Sequence, residues 1–426
     1  MNLSKKGKSL ILALTSVLFA YLTVELGCML ILKFSPGLHF EAPYFNRQAS
    51  PYYVYENTPG FQHSDCIRQN PDEEAPIVDA NGFISDHHIS QFKDTGTFRV
   101  FLTGGSAAFG TGQSAPYDKV KKYPQGVYSF DASIAGQLQQ LLQQQMPDRK
   151  VEVINACATQ RMLHQSLMYY LETLSKFNPD VVISMDGKND VSTFIGVCPF
   201  RKARTFFEPY LQLREIVAAN EYKGYSYIRK LINALKIKNF KRMQKANVKK
   251  YMQYYFNYDY SKITNEKYEK IKSRLILNSR RYTDLVRQFA AVCHINNVSY
   301  IYCMQPMLYR EKANKPLSDT EIAMRDTITP ANIRILAGDI SNEVADTVET
   351  AIHLTQKYFI DDYLSAKMRK EAIADGYGYI DINEEMNTLS REMEFYTDYC
   401  HLTFEGNAFV AKCLSHAILG QLLYER

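Results

Sequence analysis

FRVFLTGGSAAFG, residues 98–110, joins a short apolar run to a glycine-rich turn around Ser106. The apolar, β-branched run Phe98–Thr103 is typical of a buried strand. Small residues on both sides of Ser106 let the chain turn sharply into a helix, which exposes the hydroxyl and leaves the Ser106 amide available to an oxyanion. The stretch lacks the Gly-Lys-Ser/Thr ending of a P-loop and the spacing of a dinucleotide fingerprint, which argues against a phosphate site.

Further apolar runs repeat this pattern along the chain. They are Val151–Asn155, Asp180–Met185, Val298–Met304 and Gly378–Ile382. Helix-like stretches lie between or after them, such as Asp131–Gln145, Met162–Phe177 and about Glu405 to Leu423. Alternating strands and helices form right-handed crossover units and a parallel sheet covered on both faces. We therefore predict an α/β fold, a three-layer α/β/α sandwich with its chemistry in loops at the carboxyl ends of the strands.

Two more polar blocks stand beside predicted elements. Asp186-Gly187-Lys188-Asn189-Asp190 follows the third strand, and Asp398-Tyr399-Cys400-His401, continued by LTFEGN, precedes the final helix. A neutral imidazole can take a serine proton, and a carboxylate three residues earlier can orient the ring and stabilise the imidazolium. Taken alone, Asn189 is equally compatible with a simple turn residue, and His401 with a helix cap.

Together and in this order, the three blocks resemble those of the SGNH (GDSL-like) hydrolase superfamily, in particular its bacterial membrane-anchored members. The resemblance covers about residues 79–420, including Asn81-Gly82-Phe83 and Gln305-Pro306. It implies a flavodoxin-like sandwich that needs neither cofactor nor metal. The catalytic triad that it implies is Ser106, Asp398 and His401. The oxyanion hole that it implies is formed by the amides of Ser106 and Cys157 and the side chain of Asn189.

Cys157 departs from the family pattern. The block Val151–Cys157 resembles one that ends in Asn-Ala-Gly, so Cys157 stands where the resemblance places a glycine. The replacement keeps a backbone amide but loses the freedom of glycine to adopt positive φ. A nucleophilic role for Cys157 is the competing interpretation, although no signature of a thiol enzyme surrounds it.

The amino-terminal residues carry a membrane signal. Lys5, Lys6 and Lys8 precede an apolar run from Ser9 to Phe34, about 26 residues, which as a helix can cross roughly 30 Å of hydrocarbon. The run exceeds the apolar core of about 7 to 15 residues of a cleavable signal peptide. The positive-inside rule places the lysines in the cytoplasm and the chain after about residue 36 outside. We predict a single-pass protein of the bacterial inner membrane with a periplasmic or otherwise extracytoplasmic domain.

Glu25 and the cysteines add weaker signals. Glu25 within the span is compatible with a partner helix from another membrane protein and equally with local water or protonation. Seven of the eight cysteines follow the span, in what should be an oxidising compartment. Cys66 and Cys198 are the favoured pair for a disulfide, whereas Cys293 and Cys303 fall in core-like sequence. No Cys/His spacing resembles a zinc site.

Charge and composition divide the chain into parts. We expect a cytoplasmic tip and anchor at 1–35, an irregular stalk that packs partly on the domain at 36–96, and a hydrolase-like domain at 97–426 with a helical insertion at about 201–270. Residues 201–250 hold 14 Lys or Arg against three Glu, a local net charge of +11 in a chain of +5. This stretch is either a solvated helical face or a basic surface for anionic lipid headgroups or an anionic glycan. The overall charge and the absence of a binding motif exclude nucleic acid as the expected partner.

These features predict a serine esterase or O-acyl (acetyl) transferase that acts on esters of cell-envelope carbohydrate. A lipase or lysophospholipase at the membrane surface would use the same triad. A non-catalytic scaffold or assembly protein would use the fold alone.

Overall fold

The amino-terminal apolar run forms one long helix, α1 (Lys5–Phe34). A computed structural model describes residues 4–38, 46–50, 52–113, 125–190, 224–239, 242, 264–310, 312–327, 360–361 and 363–424. Within these ranges, α1 is the one helix long and apolar enough to cross a membrane, and none of its residues is buried by protein. Such a helix would expose a large apolar surface to water, whereas lipid would cover it.

The lead-in to the domain contains short strands that the sequence did not predict. They are β1 (Arg47–Ser50), β2 (Val54–Asn57) and β3 (Cys66–Ile67). The first two form an antiparallel hairpin. β3 joins a small sheet with β5 (Thr111–Gln113) and β6 (Gln125–Tyr128). Strands this short show too little alternation to be recognised from sequence, and Tyr53, Phe83 and Ile89 bury the lead-in against the domain.

The five predicted apolar runs form the central sheet. Its strands are β4 (Thr97–Gly104), β7 (Lys150–Asn155), β8 (Val181–Asp186), β9 (Ser299–Met304) and β10 (Gly378–Asp381). Their order is β10-β9-β8-β4-β7, and every neighbouring pair is parallel. The carboxyl ends of β4 and β8 therefore lie side by side, where a shared site can form.

Helices cover both faces of this sheet, as predicted. In chain order, the helices of the described residues after α1 are α2 (Ser106–Phe109), α3 (Ile134–Gln145), α4 (Leu163–Glu172), α5 (Lys188–Asp190), α6 (227–239), α7 (Asn265–Ile295), α8 (Asp319–Thr327), α9 (Ser365–Asp375), α10 (Ile382–Glu385) and α11 (Phe404–Tyr424). The main covering helices are α3 and α11 on one face and α4, α7 and α9 on the other. Single 3₁₀ turns occur at Pro36–Leu38, Leu174–Phe177 and Met386–Thr388.

Alternation along β4 separates two apolar cores. Val100 and Leu102 pack in a cluster with side chains of α3 and α11. Phe101 points to the other face, in a cluster with side chains of α4, α7 and α9. Because successive side chains of a strand point to opposite faces, one strand links both helical layers. The result is the three-layer α/β/α sandwich that the sequence predicted.

The predicted basic insertion lies largely outside the described residues, apart from 224–239, Arg242 and the start of α7. Of the cysteines, Cys293 and Cys303 are buried in the core as predicted. Cys66 lies in β3 with a free thiol, so the structure does not form the disulfide expected for it. Its proposed partner, Cys198, is outside the described residues.

Candidate active site

Ser106 lies where β4 ends and α2 begins, in the sharp turn that the sequence predicted. Gly104 makes the turn with a φ of +149°, and a Cβ there would lie 2.3 Å from the backbone oxygen of Met185 in the neighbouring strand. Only glycine tolerates both the conformation and the contact. Ser106 is thus held at the carboxyl edge of the sheet, with its side chain partly exposed.

His401 and Asp398 meet Ser106 from the loop before α11. The Oγ of Ser106 is 2.7 Å from Nε2 of His401, and Nδ1 of His401 is 2.6 Å from Oδ2 of Asp398. Asp398 and His401 are each 4% exposed. A serine hydroxyl, an imidazole and a carboxylate therefore form one continuous hydrogen-bonded chain, with 295 positions of sequence between the serine and the histidine.

Asp398 is held as a carboxylate. Its Oδ1 accepts hydrogen bonds from the amides of Cys400, at 2.9 Å, and His401, at 2.8 Å. Burial raises the pKa of Asp398. The charge and hydrogen bond of His401 and the bonds from these two amides lower it by more, so that the pKa is about 2. An ionised Asp398 fixes the proton of His401 on Nδ1, which leaves Nε2 as the base toward Ser106.

Asn189 stands against the serine turn. Its Nδ2 donates a hydrogen bond to the backbone oxygen of Arg161 at 3.0 Å. A Cβ on Gly105 would lie only 2.5 Å from the same Nδ2, so the amide group packs directly on the residue before Ser106. An amide nitrogen carries two hydrogens, and Arg161 uses one of them. The other is a candidate donor to an oxyanion formed beside Ser106.

Cys157, whose amide was predicted as a donor to the oxyanion, makes hydrogen bonds to its neighbours in the structure. Its amide donates to Oδ1 of Asn155 at 3.1 Å, and its buried thiol lies 3.2 Å from the backbone oxygen of Leu102. Burial raises the pKa of the thiol well above its usual value, which disfavours the thiolate that a nucleophile needs. In this loop positive φ falls on Gln160, at 65°, and not on Cys157. The loop therefore makes its left-handed turn at Gln160, and Cys157 needs no glycine-like freedom.

The lead-in before the domain positions the loop that follows β7, from Cys157 to Arg161. Asn57 donates to the backbone oxygen of Cys157 at 2.8 Å. The Tyr55 hydroxyl, at 2.9 Å, and Nη1 of Arg47, at 3.2 Å, both donate to the backbone oxygen of Thr159. Residues before the domain thus hold the loop that ends at Arg161. No sequence signal marked them, since each acts over about 100 positions.

A buried polar layer lies behind Asn189. Asp186, Lys188 and Asp190 are all less than 8% exposed. Both carboxylate oxygens of Asp186 lack a hydrogen-bond partner among the described residues. Burial raises the pKa of Asp186 to about 7, opposed by the charge of Arg161, and burial raises the pKa of Asp190 as well. The Asp-Gly-Lys-Asn-Asp block thus aims Asn189 toward Ser106 and keeps its acidic residues inside.

The same loop offers metal-type ligand atoms. A carboxylate oxygen of Asp398, Sγ of Cys400 and a ring nitrogen of His401 lie within 4.8 Å of one another. Both ring nitrogens of His401 already face Asp398 and Ser106. Burial raises the pKa of Cys400 to about 12, whereas a metal needs the thiolate. The donor set fits a proton relay better than a metal site.

Comparison with known proteins adds a likeness to several solved structures. No protein-family model matches the sequence, and no curated protein does. An acetyl xylan esterase, AlAXEase, aligns with a TM-score of 0.35 and 12% identity over 75% of this chain and 100% of its own. Axe2, an acetylxylan esterase from Geobacillus stearothermophilus, aligns with a TM-score of 0.34 and 11% identity over 75% of this chain and 94% of its own. An α/β hydrolase from the metagenome of Lake Arreo, Spain, aligns with a TM-score of 0.34 and 11% identity over 77% of this chain and 96% of its own. TM-scores below 0.5 do not decide the activity of this chain.

Proposed function

We propose that this protein is a membrane-anchored serine hydrolase of SGNH type that forms an acyl-enzyme on Ser106. The observation that carries the proposal is the unbroken hydrogen-bonded chain from Ser106 through His401 to Asp398. A serine hydroxyl is a weak nucleophile until an adjacent base takes its proton. Here the base is in contact with the hydroxyl, and a buried carboxylate orients the base.

The reaction proceeds in two balanced steps. Oγ of Ser106 attacks an ester carbonyl while Nε2 of His401 takes the hydroxyl proton, and the carbonyl oxygen becomes an oxyanion. The amide of Ser106 and Nδ2 of Asn189 donate to that oxyanion. The carbon–oxygen ester bond then breaks, the leaving alcohol takes the proton from His401, and the acyl group remains on Ser106. In the second step, a hydroxyl of water or of a sugar gives its proton to His401 and attacks the acyl carbon. The bond to Oγ of Ser106 then breaks, Ser106 takes the proton back from His401, and the acyl group leaves on the new oxygen.

The substrate that we propose is an ester, most simply an acetyl ester, on a carbohydrate of the cell envelope. The motivation is location: α1 would hold the domain beside the membrane, with Lys5, Lys6 and Lys8 in the cytoplasm and the domain outside. Hydrolysis and acyl transfer share every residue of the site and differ only in the second acceptor. A lipase or lysophospholipase would use the same site on a lipid ester.

A scaffold role is the alternative without chemistry. A scaffold has no need of a contact between Ser106 and His401, or of an ionised Asp398 beside His401. The distances of 2.7 and 2.6 Å along the triad favour an enzyme.

The test is covalent labelling of the full-length protein in detergent micelles with a fluorophosphonate probe. We expect labelling of the native protein at Ser106, none in Ser106→Ala, and full labelling in the control Ser175→Ala, whose hydroxyl donates, among the described residues, to the backbone oxygen of Leu171. Labelling that persists in Ser106→Ala but disappears in Cys157→Ala would make this a thiol enzyme. Acid release from acetylated glycans, short-chain esters and phospholipids then separates the substrate classes, and activity on none of them would favour the scaffold.

A further inference from the structure

Glu25, the acidic residue within the apolar span, contacts α6 of the basic insertion. Its Oε1 accepts hydrogen bonds from Oγ of Ser226 at 2.5 Å and from the hydroxyl of Tyr21 at 2.8 Å. Its Oε2 accepts from the amides of Tyr227 at 2.6 Å and Ile228 at 3.3 Å. The partner helix that Glu25 predicted is thus supplied by the same chain, about 200 positions later.

This contact provides hydrogen-bond partners both for the carboxylate of Glu25 and for the first amides of α6. The first amides of a helix have no partner within it, and they carry partial positive charge. Tyr227 and Ile228 are the first two residues of α6, so the carboxylate of Glu25 caps that end. In return, the amides and the hydroxyls stabilise a carboxylate that would be costly beside hydrocarbon. The contact therefore fixes where α6 begins relative to α1.

The position of Glu25 along α1 gives the depth of this contact. At a rise of about 1.5 Å per residue, Glu25 lies roughly 24 Å beyond Ser9, where the apolar run begins. A hydrocarbon layer of about 30 Å then ends some 6 Å past Glu25. The amino-terminal end of α6 is consequently at the outer boundary between acyl chains and headgroups.

The exposed surface of α6 suits that depth. Tyr225 before the helix is 95% exposed, and Ile232 and Leu235 on it are 48% and 50% exposed. Ile232 and Leu235 are three residues apart and share a face of the helix. Lys236 and Lys238 are exposed on the two flanks of this pair. Exposed apolar side chains between cationic ones are the pattern of helices that lie in a membrane interface.

We propose that α6 is a second membrane element, an interfacial helix clamped to the anchor by Glu25, whose Ile232–Leu235 face lies in the outer leaflet. The occupant of this face is the bilayer that α1 spans, and its anionic headgroups pair with the cationic flanks. The inference rests on the proposed anchoring by α1. Its consequence is that the domain is attached at two points, which sets the distance of the Ser106 site from the membrane surface.

The absence of tryptophan from the chain makes a direct test available. Leu235→Trp introduces a single indole into the full-length protein, reconstituted in phosphatidylcholine–phosphatidylglycerol bilayers with brominated acyl chains. An interfacial helix buries its apolar face about 5 to 10 Å into the boundary, so we expect roughly two-fold or greater quenching by the bromines. Leu18→Trp in α1 reports insertion of the anchor. Phe92→Trp and Ile373→Trp, at sites 86% and 79% exposed, report an unburied indole.

The clamp is tested in the Leu235→Trp protein. Glu25→Leu removes the acceptor while keeping the span apolar, and quenching should fall toward the Phe92→Trp level. Thr23→Leu is the matched control, because its hydroxyl donates to the backbone oxygen of Phe19 within α1 and to no other described residue, and quenching should persist. Quenching of Leu235→Trp no greater than that of Phe92→Trp, with Leu18→Trp quenched, would overturn the proposal.

Two other outcomes are also decisive. An emission shift of Leu235→Trp on adding an anionic polysaccharide, without quenching by lipid, would assign the face to a glycan and overturn the proposal. Absence of quenching at Leu18→Trp would refute the anchor and the inference together. Fluorophosphonate labelling of Ser106 in the same samples keeps the hydrolase proposal separate from either result.

Discussion

Gly105→Ala should inactivate the enzyme through a neighbouring side chain and not through the backbone. Gly105 has φ −83° and ψ −160°, a conformation that alanine also adopts. The added Cβ, however, would lie 2.5 Å from Nδ2 of Asn189 and 3.4 Å from the backbone oxygen of Arg161. The second distance is an ordinary contact, whereas the first is not. Asn189 must therefore retreat by roughly 1 Å, a displacement that can cost about 10² in rate at a catalytic centre.

The size of the loss follows from the role of Asn189. Removal of one side-chain donor from an oxyanion hole costs about 10² to 10³ in kcat, or about 2.7 to 4 kcal/mol of transition-state stabilisation. Gly105→Ala should approach this range, as should Asn189→Ala. The double variant should be no worse than Asn189→Ala, because the clash has lost its partner. The coupling free energy would then be nearly as large as the effect of Gly105→Ala alone.

The assay is steady-state hydrolysis of p-nitrophenyl acetate by the four members of this cycle. Gly420→Ala is the matched control, since among the described residues no atom outside the backbone of its own helix and its two neighbours lies within 4 Å of the Cβ it would add. Thermal unfolding of each variant separates loss of activity from loss of fold, and the change at the helix cap should lower stability by at most about 1 kcal/mol. Additive losses in the double variant would show that Gly105 does not act through Asn189 and would refute the reasoning.

Two further predictions concern the triad and the loop beside it. Asp398→Asn should keep the fold but lower kcat by about 10⁴ if the carboxylate sets the tautomer of His401, measured with the same ester; a loss below ten-fold would mean that another group orients the ring. Because folding lowers the pKa of Asp398 to about 2, its ionised form contributes on the order of 2 kcal/mol of stability above about pH 4, lost as the pH falls through 2. Urea unfolding of the native protein should show this acid-dependent component, and Asp398→Asn should lack it. Cys157→Ala should lower the unfolding free energy by about 1 kcal/mol through lost packing yet leave kcat unchanged, and a large fall in kcat would restore a catalytic role to the thiol.

Local pattern predicted the elements that local physics determines. The apolar runs around Val100, Val153 and Ile183 are buried on both faces and became β4, β7 and β8 within about two residues of their predicted ends. Ser106, Asp398 and His401 were recognisable because the chemistry needs particular side chains beside particular strand ends. These are the features for which sequence period and residue type carry enough information.

Features that depend on distant contacts were missed or misassigned. The loop after β7 turns through a positive φ at Gln160, which the sequence did not indicate, because a loop without periodicity does not reveal its φ angles. The hairpin β1–β2 appeared irregular, although Tyr55 is fully buried and bonds to Thr159. Glu25 left a partner helix and local water or protonation as alternatives, and its contact with the start of α6 depends on tertiary structure.

The placement of His401 shows why a motif can be recognisable while its geometry is not. Ser106 follows β4 inside the sheet, whereas the Asp398–His401 loop comes after β10 at the sheet edge, and β9 and β8 lie between these two strands. The segment that follows β9 holds the loop, because the amide of Leu308 donates to the backbone oxygen of Tyr399 at 3.1 Å.

On the other side of the site, the Tyr128 hydroxyl donates to the backbone oxygen of Leu402 at 3.1 Å. Tyr128 ends β6, a strand of the small sheet that β3 from the lead-in completes. The loop that carries the imidazole is thus held between contacts from the segment after β9 and from the small sheet, both outside its own motif. The Asp-x-x-His spacing supplies the chemistry of the base, and these non-local bonds supply its distance of 2.7 Å from Ser106.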